Sequence, residues 1–511
     1  MKYNHLLPSR YLDWLAPVMG GTMTLAYAPF DAAFWVFPAL LFLFVSWLVL
    51  SPGRAALRGF LFGLGLFGSG VSWVFISVYY FGGRDIILSI LATLVFVFFW
   101  ALFPALTGYL SAKLRPDKAD YQLVSMPLLW VSIEYLRGTW VLNGFPWLQI
   151  AYSQIETPLI GYAPVIGVYG TGLIVALNAM LLLTAMIKRR YLWRYLGMVA
   201  VLWMGGYYLK NIAWTTSAGE ALKVTLIQGN ISQDRKWAKD NRDATLKLYE
   251  SITREHWDSD IVIWPETSIP AYYAEVKDSF LKGLEQQALT HDTEVIVGLP
   301  IKDKAQSALY NSVLVLGKTA GVYRKNHLLP FGEYMPLQPV SGYLLNFLNL
   351  RLGNFASGGD DQKLLMAAGY RFITSICYED VFPLVSVKVL EQAAFLVNVT
   401  NDAWFGDSIE PYQHMQIARM RAIETGRYLL RATNTGLTGI VDPQGKIIAQ
   451  AKLFQTAAVS GEIVPLLGVT PYVRFGDKLI VFLMVIGLIC VAINGFDKFD
   501  ARVWRGYFSP D

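Results

Sequence analysis

Three residues in the second half of the chain carry side chains that together could run acyl chemistry through sulfur. They are Glu266, closing IVIWPE, Lys325, within GVYRKNHLLPFGE, and Cys377, closing FITSIC. A free thiol has a pKa of about 8.5, so at neutral pH it needs a base or a nearby positive charge before it is a useful nucleophile. Glu266 can take that proton. A lysine close by can stabilise the oxyanion formed when a thiolate attacks an ester carbonyl, as backbone donors do in other acyl-transfer sites. Each residue alone has a plainer reading: an inert core thiol, a solvated turn glutamate, one loop cation among several.

The elements that must position them begin at Lys223, where short β-rich runs alternate with polar helical stretches. KVTLIQGNI, DIVIWPET, EVIVGLP, NSVLVLG, RFITSICYED, AAFLVNVTND and TGIVDPQGKII read as buried strands of an α/β domain with helices outside. Strand ends followed by turns are where such a sheet presents side chains to a cleft, so three distant residues can converge there.

The rest of the chain is built for another solvent. Of 511 residues, 54% are hydrophobic and 14% aromatic, which is too apolar for an ordinary soluble enzyme. Apolar runs near 12–28, 32–50, 57–81, 86–112, 121–142, 161–187 and 191–209, with an eighth near 478–495, match the length of membrane-spanning helices. Ala26-Tyr27-Ala28 resembles a signal-peptidase site, but Pro29 follows and the apolar pattern resumes, so an uncleaved helix is expected. Alternate loops carry Arg54 and Arg58, then Lys113, Arg115 and Lys118, then Lys188, Arg189, Arg190 and Arg194. The positive-inside rule makes these loops cytoplasmic. The expected organisation is a membrane domain of seven helices over 1–210, an extracytoplasmic domain over 211–470, and a last helix with a cytoplasmic tail bearing Lys498, Arg502 and Arg505 over 471–511.

Several features have a bland reading and a functional one. Gly63, Gly65 and Gly68 spell a dinucleotide fingerprint, but they lie in a span with no strand before them, so close helix packing is expected. Glu134 and Arg137 sit three apart on one helical face, where either an internal ion pair or a lipid headgroup contact fits. Residues 336–355 are apolar but too broken to span a bilayer; a lipid-facing arm and a packed loop both fit. The net charge of +5 is scattered, without the basic clusters that nucleic acid requires. Cys490 lies in an apolar run, which leaves Cys377 without a disulfide partner in the domain. The five histidines show no ligand spacing, so neither a metal nor another cofactor is expected.

Glu266, Lys325 and Cys377, 59 and then 52 residues apart and set in WPE, RKNHLLPFGE and CYED, resemble the carbon–nitrogen hydrolase (nitrilase) superfamily. VTLIQGNI with Lys236-Trp237, YRKNHLLPFGEYMP, SICYEDVFP, NVTNDAWFG and the membrane motif from Trp130 through NGFPW are similar to the apolipoprotein N-acyltransferase family, and this likeness runs through nearly the whole chain. The resemblance implies a four-layer α-β-β-α sandwich on a membrane base of about eight helices, in a bacterial inner membrane with the catalytic domain facing the periplasm. It implies a ping-pong reaction in which Cys377 takes an acyl group from a phospholipid, phosphatidylethanolamine foremost, and a lipoprotein's diacylglyceryl-cysteine amine receives it. Glu266 would be the base and Lys325 the oxyanion stabiliser. Motif matches add Glu333 and Glu379, which could tune Lys325 or place the incoming amine, Tyr378 beside the nucleophile, and Trp237, which could line the acyl entrance. A buried salt bridge is the alternative for the two glutamates and plain packing for Trp237. Two rival functions remain: a membrane-tethered amidase with the same triad, and a transporter or scaffold, which the scarcity of ionisable residues in the spans disfavours.

Overall fold

The computed structural model describes residues 10–115, 119–303, 307–336, 354–383 and 387–495. They form two compact units: one from the described residues up to Ile212 together with those from Phe475 on, the other Ala213–Arg474.

The first unit is helical: α1 (Tyr11–Met23), α2 (Val36–Val49), α3 (Pro52–Gly70), α4 (Val74–Phe81), α5 (Ile86–Lys113), α6 (Ala119–Thr139), α7 (Ala163–Ile187), α8 (Leu192–Lys210) and a final helix Lys478–Gly495. Among the described residues, Ile86–Lys113 and Pro158–Ile187 are by themselves long and apolar enough to cross a bilayer. The run expected as one span at 57–81 is two helices bent by 59°. The break follows Gly70, whose carbonyl accepts from Trp73 Nε1 at 3.2 Å. The first two runs are shorter helices than their apolar length suggested, because 3-10 turns at Thr24–Ala26 and Ala33–Trp35 take up part of each.

Charged residues of this unit tie its ends together. Arg54 Nη2 lies 2.6 Å and Arg58 Nη2 2.8 Å from the Asp13 carboxylate at the start of α1. Arg115 Nη2 donates to Trp47 O (2.9 Å) and Leu50 O (2.6 Å), capping the carbonyl end of α2. The start of α1, the α2–α3 loop and the end of α5 therefore share one side. Of Gly63, Gly65 and Gly68 in α3, two are close-packing residues: a Cβ on Gly65 would stand 1.9 Å from Pro17 O, and one on Gly63 2.8 Å from Ala101 Cα. Arg137 Nη1 donates to Phe145 O and Trp147 O, both at 2.7 Å, while Glu134 Oε1 accepts from Ile150 N at 3.2 Å. Both side chains are buried, and together they pin residues 145–150 to α6. The packing reading of this pair is the one the contacts support.

The second unit holds a pair of two-residue strands, β1 (Thr216–Ser217) and β14 (Leu466–Leu467), and two six-stranded sheets. The first sheet contains β2 (Leu222–Gln228), β3 (Ile261–Ile263), β4 (Glu294–Asp303), β5 (Ala308–Leu316), β6 (Gly321–Arg324) and β13 (Ala457–Ile463), in the order β13-β2-β3-β4-β5-β6. The second contains β7 (Leu365–Ala367), β8 (Tyr370–Ile376), β9 (Phe395–Thr400), β10 (Leu429–Thr433), β11 (Gly439–Val441) and β12 (Ile447–Gln450), in the order β12-β11-β10-β9-β8-β7. Each sheet has three parallel strands at its centre, β2-β3-β4 and β8-β9-β10, with antiparallel strands outside.

Alternation along the strands builds the layers, because successive side chains face opposite sides of a sheet. Leu226, Ile261, Ile263, Phe395, Val397 and Val399 point into the core between the sheets, where Phe372 and Phe395 stack with centroids 5.3 Å apart. Ile227, Val262 and Val295 point the other way, onto Leu246 and Tyr249 of α9 (Lys239–Arg254). Leu396 and Leu429 likewise meet Met415, Ala418 and Ala422 of the helix Glu410–Thr425. This is the expected α-β-β-α sandwich. Of the 336–355 segment, only Pro336, Asn354 and Phe355 lie among the described residues, and Lys118, Lys498, Arg502 and Arg505 lie outside them.

Candidate active site

Glu266 stands three residues past β3, in a turn where Thr267 takes a positive φ of 48°. A glycine backs it: a Cβ at Gly298 on β4 would meet Pro265 O at 2.6 Å, Thr267 N at 2.7 Å and Glu266 Cα at 2.9 Å. Lys325 follows β6 directly, and its main chain is held on both sides, by Lys325 N donating to Asn311 O and Gly358 N donating to Lys325 O, each at 2.8 Å. Cys377 follows β8 and opens the 3-10 turn Cys377–Val381 with a φ of 51°. A left-handed conformation at a residue with a Cβ costs energy and persists only where neighbours enforce it.

One asparagine joins the acidic groups. Asn311 Nδ2, on β5, donates to Glu266 Oε1 at 2.7 Å and to Glu333 Oε1 at 3.1 Å. The other oxygen of Glu333 lies 2.8 Å from Lys325 Nζ and accepts from Leu329 N at 2.9 Å. Glu379 accepts from Tyr323 Oη (3.0 Å), Asn326 N (2.7 Å), His327 N (3.0 Å) and Ile376 N (2.7 Å). It therefore fastens the loop after Lys325 to the end of the strand that presents Cys377. Tyr378 is buried, its ring edge-on to Phe382 at 5.2 Å, while Trp237 is half exposed.

The three expected groups feel one another. Burial raises the Glu266 carboxyl above its usual range, with Lys325 pulling it back and Glu333 adding to the rise. Burial pushes the Cys377 thiol up to about 12; the charge of Glu266 adds to this and Lys325 opposes it. Burial works against the Lys325 ammonium, but Glu333, then Glu266, Cys377 and Glu379, outweigh it and hold the group well above the ordinary lysine range. A buried thiol of this kind rests protonated, so its activation requires a base at hand.

Behind Cys377 lies a buried set of charges with no obvious sequence signal. His414 Nε2 is 2.8 Å from Asp380 Oδ1 and its Nδ1 is 3.0 Å from Asp402 Oδ1. Arg431 bridges the same two carboxylates, at 2.8 Å and 3.3 Å, and donates to Asn398 Oδ1 at 2.6 Å. Asn398 Nδ2 in turn reaches Ser375 Oγ (3.0 Å) and Cys377 O (3.5 Å). Because Asp380 sits in the Cys377 turn, this network holds that turn from beneath. Asp402, Glu410 and His414 also bring three metal-ligand types together. Asp402 is met by His414 Nδ1 and Arg431, whereas Glu410 Oε1 lies 3.4 Å from His414 Nδ1 and its other oxygen is buried with no hydrogen-bond partner among the described residues. Asp380 stood in the CYED motif just past a strand and could have been singled out there; Asn311, His414 and Arg431 came from strand and helix interiors that sequence cannot align.

A double sheet between helical layers, with Glu266, Lys325 and Cys377 each just past the end of a strand, fits a carbon–nitrogen hydrolase domain, and the Carbon-nitrogen hydrolase family model matches residues 223–471. The model for the Apolipoprotein N-acyltransferase N-terminal domain matches residues 19–181. The chain is 48% identical to the apolipoprotein N-acyltransferase of Methylococcus capsulatus over 91% of its own length and 92% of the relative's. Proteins of the same name from Nitrosomonas europaea and Pseudomonas aeruginosa are 43% and 40% identical, covering 86% and 90% of this chain and 88% and 91% of theirs. The chain belongs to the apolipoprotein N-acyltransferase family.

Proposed function

We propose that the chain transfers a fatty acyl group from a membrane phospholipid, phosphatidylethanolamine foremost, through a thioester on Cys377 to the α-amine of a diacylglyceryl-cysteine lipoprotein. The carrying observation is the buried set in which Asn311 joins Glu266 to Glu333 and Glu333 pairs with Lys325, in a carbon–nitrogen hydrolase domain whose strand β8 ends at Cys377.

Glu266 takes the proton from Cys377 Sγ as sulfur bonds to the ester carbonyl carbon, and the carbonyl π pair moves onto oxygen. Lys325 stabilises that oxyanion. Its collapse breaks the carbon–oxygen bond to glycerol, and Glu266 returns the proton to the leaving alkoxide, giving a lysophospholipid. In the second half, the neutral amine bonds to the thioester carbon, the carbon–sulfur bond breaks, and the amine proton passes through Glu266 to sulfur. Glu333 holds Lys325 charged, Glu379 and Tyr378 fix the thiol's turn, and Trp237 offers an apolar surface for the acyl chain. No cofactor is needed.

In this reading about eight helices anchor the chain in a bacterial inner membrane, with residues 211–470 on the periplasmic side. Support comes from the contacts of Arg54, Arg58 and Arg115, which bring two basic loops and the start of α1 to one side, as the positive-inside rule requires of cytoplasmic segments. The test is to incubate the purified full chain with phosphatidylethanolamine, find the acyl adduct by mass spectrometry, and add a lipopeptide amine. An adduct on Cys377, absent in Cys377→Ala and discharged onto the amine, is expected. Discharge to water with no lipopeptide product would overturn the transfer and favour a hydrolase of the amidase kind.

A further inference from the structure

Lysine is almost never fully buried without a partner, yet a second lysine beside Lys325 is buried in the site. Lys236 is 2% exposed, and its Nζ donates to the main-chain oxygen of Glu266 at 3.2 Å. Among the described residues it makes no ion pair, whereas the Lys325 ammonium is already committed to Glu333 at 2.8 Å. Its loop is held rigidly. Asn434 accepts from Ile231 N through Oδ1 at 2.9 Å and donates to Ile231 O at 2.7 Å, and Asn401 Nδ2 donates to Gln233 Oε1 at 2.7 Å. The loop between β2 and α9 is thus clamped to the strand ends of the other sheet, which delivers an uncommitted ammonium to the back of the base.

We propose that Lys236 is a second cation of the thiol site, stabilising the negative charge that passes between Glu266 and Cys377. The Lys325–Glu333 pair is close to neutral as a unit, so it offers the developing charge less than a lone lysine would. In every stage of the proposed reaction one negative charge moves from carboxylate to sulfur to oxyanion. A preorganised cation that no acid claims lowers the energy of each of these states. The ionisable groups whose charges act on Lys236 are Glu266 and Cys377; burial pulls the ammonium down to about 8, and those two oppose the fall. Perturbed groups of this kind concentrate at functional sites.

This inference rests on the proposed thiol chemistry, but its test needs neither acyl donor nor acceptor. Iodoacetamide alkylation of Cys377 is followed against pH in the full-length Cys490→Ser protein, so that one thiol reports. Lys236→Gln keeps a donor for the Glu266 carbonyl and removes the charge. It should alkylate about tenfold more slowly near pH 7, the effect of about one pKa unit in the thiol, and the gap to the parent should close as pH rises through about 8. Lys236→Arg keeps its charge and should exceed the parent above that pH. Lys236→Met supplies the same readout should the Gln variant not fold. Profiles for Lys236→Gln or Lys236→Met that superimpose on the parent's would overturn the proposal and leave Lys236 as a loop fastener. Absence of a thioester with phospholipid, by contrast, would sink the acyl-transfer reading and leave the alkylation result standing.

Discussion

Lys325 and Glu333 form a buried ion pair, Nζ to Oε2 at 2.8 Å, and through Asn311 the same glutamate is joined to the oxygen of Glu266. The base and the oxyanion stabiliser of the proposed reaction are thereby one assembly. Lys325→Met leaves Glu333 buried without its counter-charge, and breaking a buried pair from one side costs about 3–5 kcal/mol. Thermal unfolding should register that loss together with the disappearance of the Cys377 acyl adduct. The double variant Lys325→Met/Glu333→Leu should recover much of the stability and none of the acylation, which separates the two roles.

Glu266 raises the thiol's pKa at rest although it is the base in the proposed reaction. Glu266→Gln should therefore shift the Cys377 alkylation midpoint down in pH while abolishing acyl transfer. A midpoint that moves up would show that Glu266 does not bear on the thiol as the geometry requires.

Gly298 has no room for a side chain, since a Cβ there meets the backbone from Pro265 to Thr267 below 3 Å. Gly298→Ala must push the Glu266 turn away. Acylation of Cys377 should fall by about tenfold or more, as misplaced catalytic groups commonly cost. Overall folding, read by circular dichroism, should persist.

The charges under Cys377 make a pH prediction. Burial and Arg431 oppose protonation of His414, but Asp380 and Asp402 prevail and raise its pKa well above the ordinary histidine range. Because the folded value exceeds the unfolded one, of about 6.5, this stabilisation is complete below about pH 6.5 and is lost as pH rises through the folded value. His414→Gln should flatten the alkaline fall in melting temperature. An unchanged pH dependence would remove His414 from the account.

Membrane character and the strand succession were legible in the sequence, and so were Glu266, Lys325 and Cys377 as candidates, because each is local. Apolar length, period-two alternation and reactive groups at strand ends are written in neighbouring residues. Glu333 and Glu379 were visible by motif, yet their tasks were not. Nothing in PFGE or CYED says that one glutamate grips Lys325 while the other laces the 323–327 loop to Ile376.

What the sequence determined by itself was the set of chemical groups and the solvents in which each half must fold. What only the tertiary structure decided was which groups meet. Lys236 lies 30 residues from the base whose carbonyl it holds, and His414 34 from Asp380. Separations of that size are closed when neighbouring parallel strands pair, β2 with β3 and β8 with β9, a collective outcome of burying many alternating side chains. No local pattern records which loop ends that pairing will bring together.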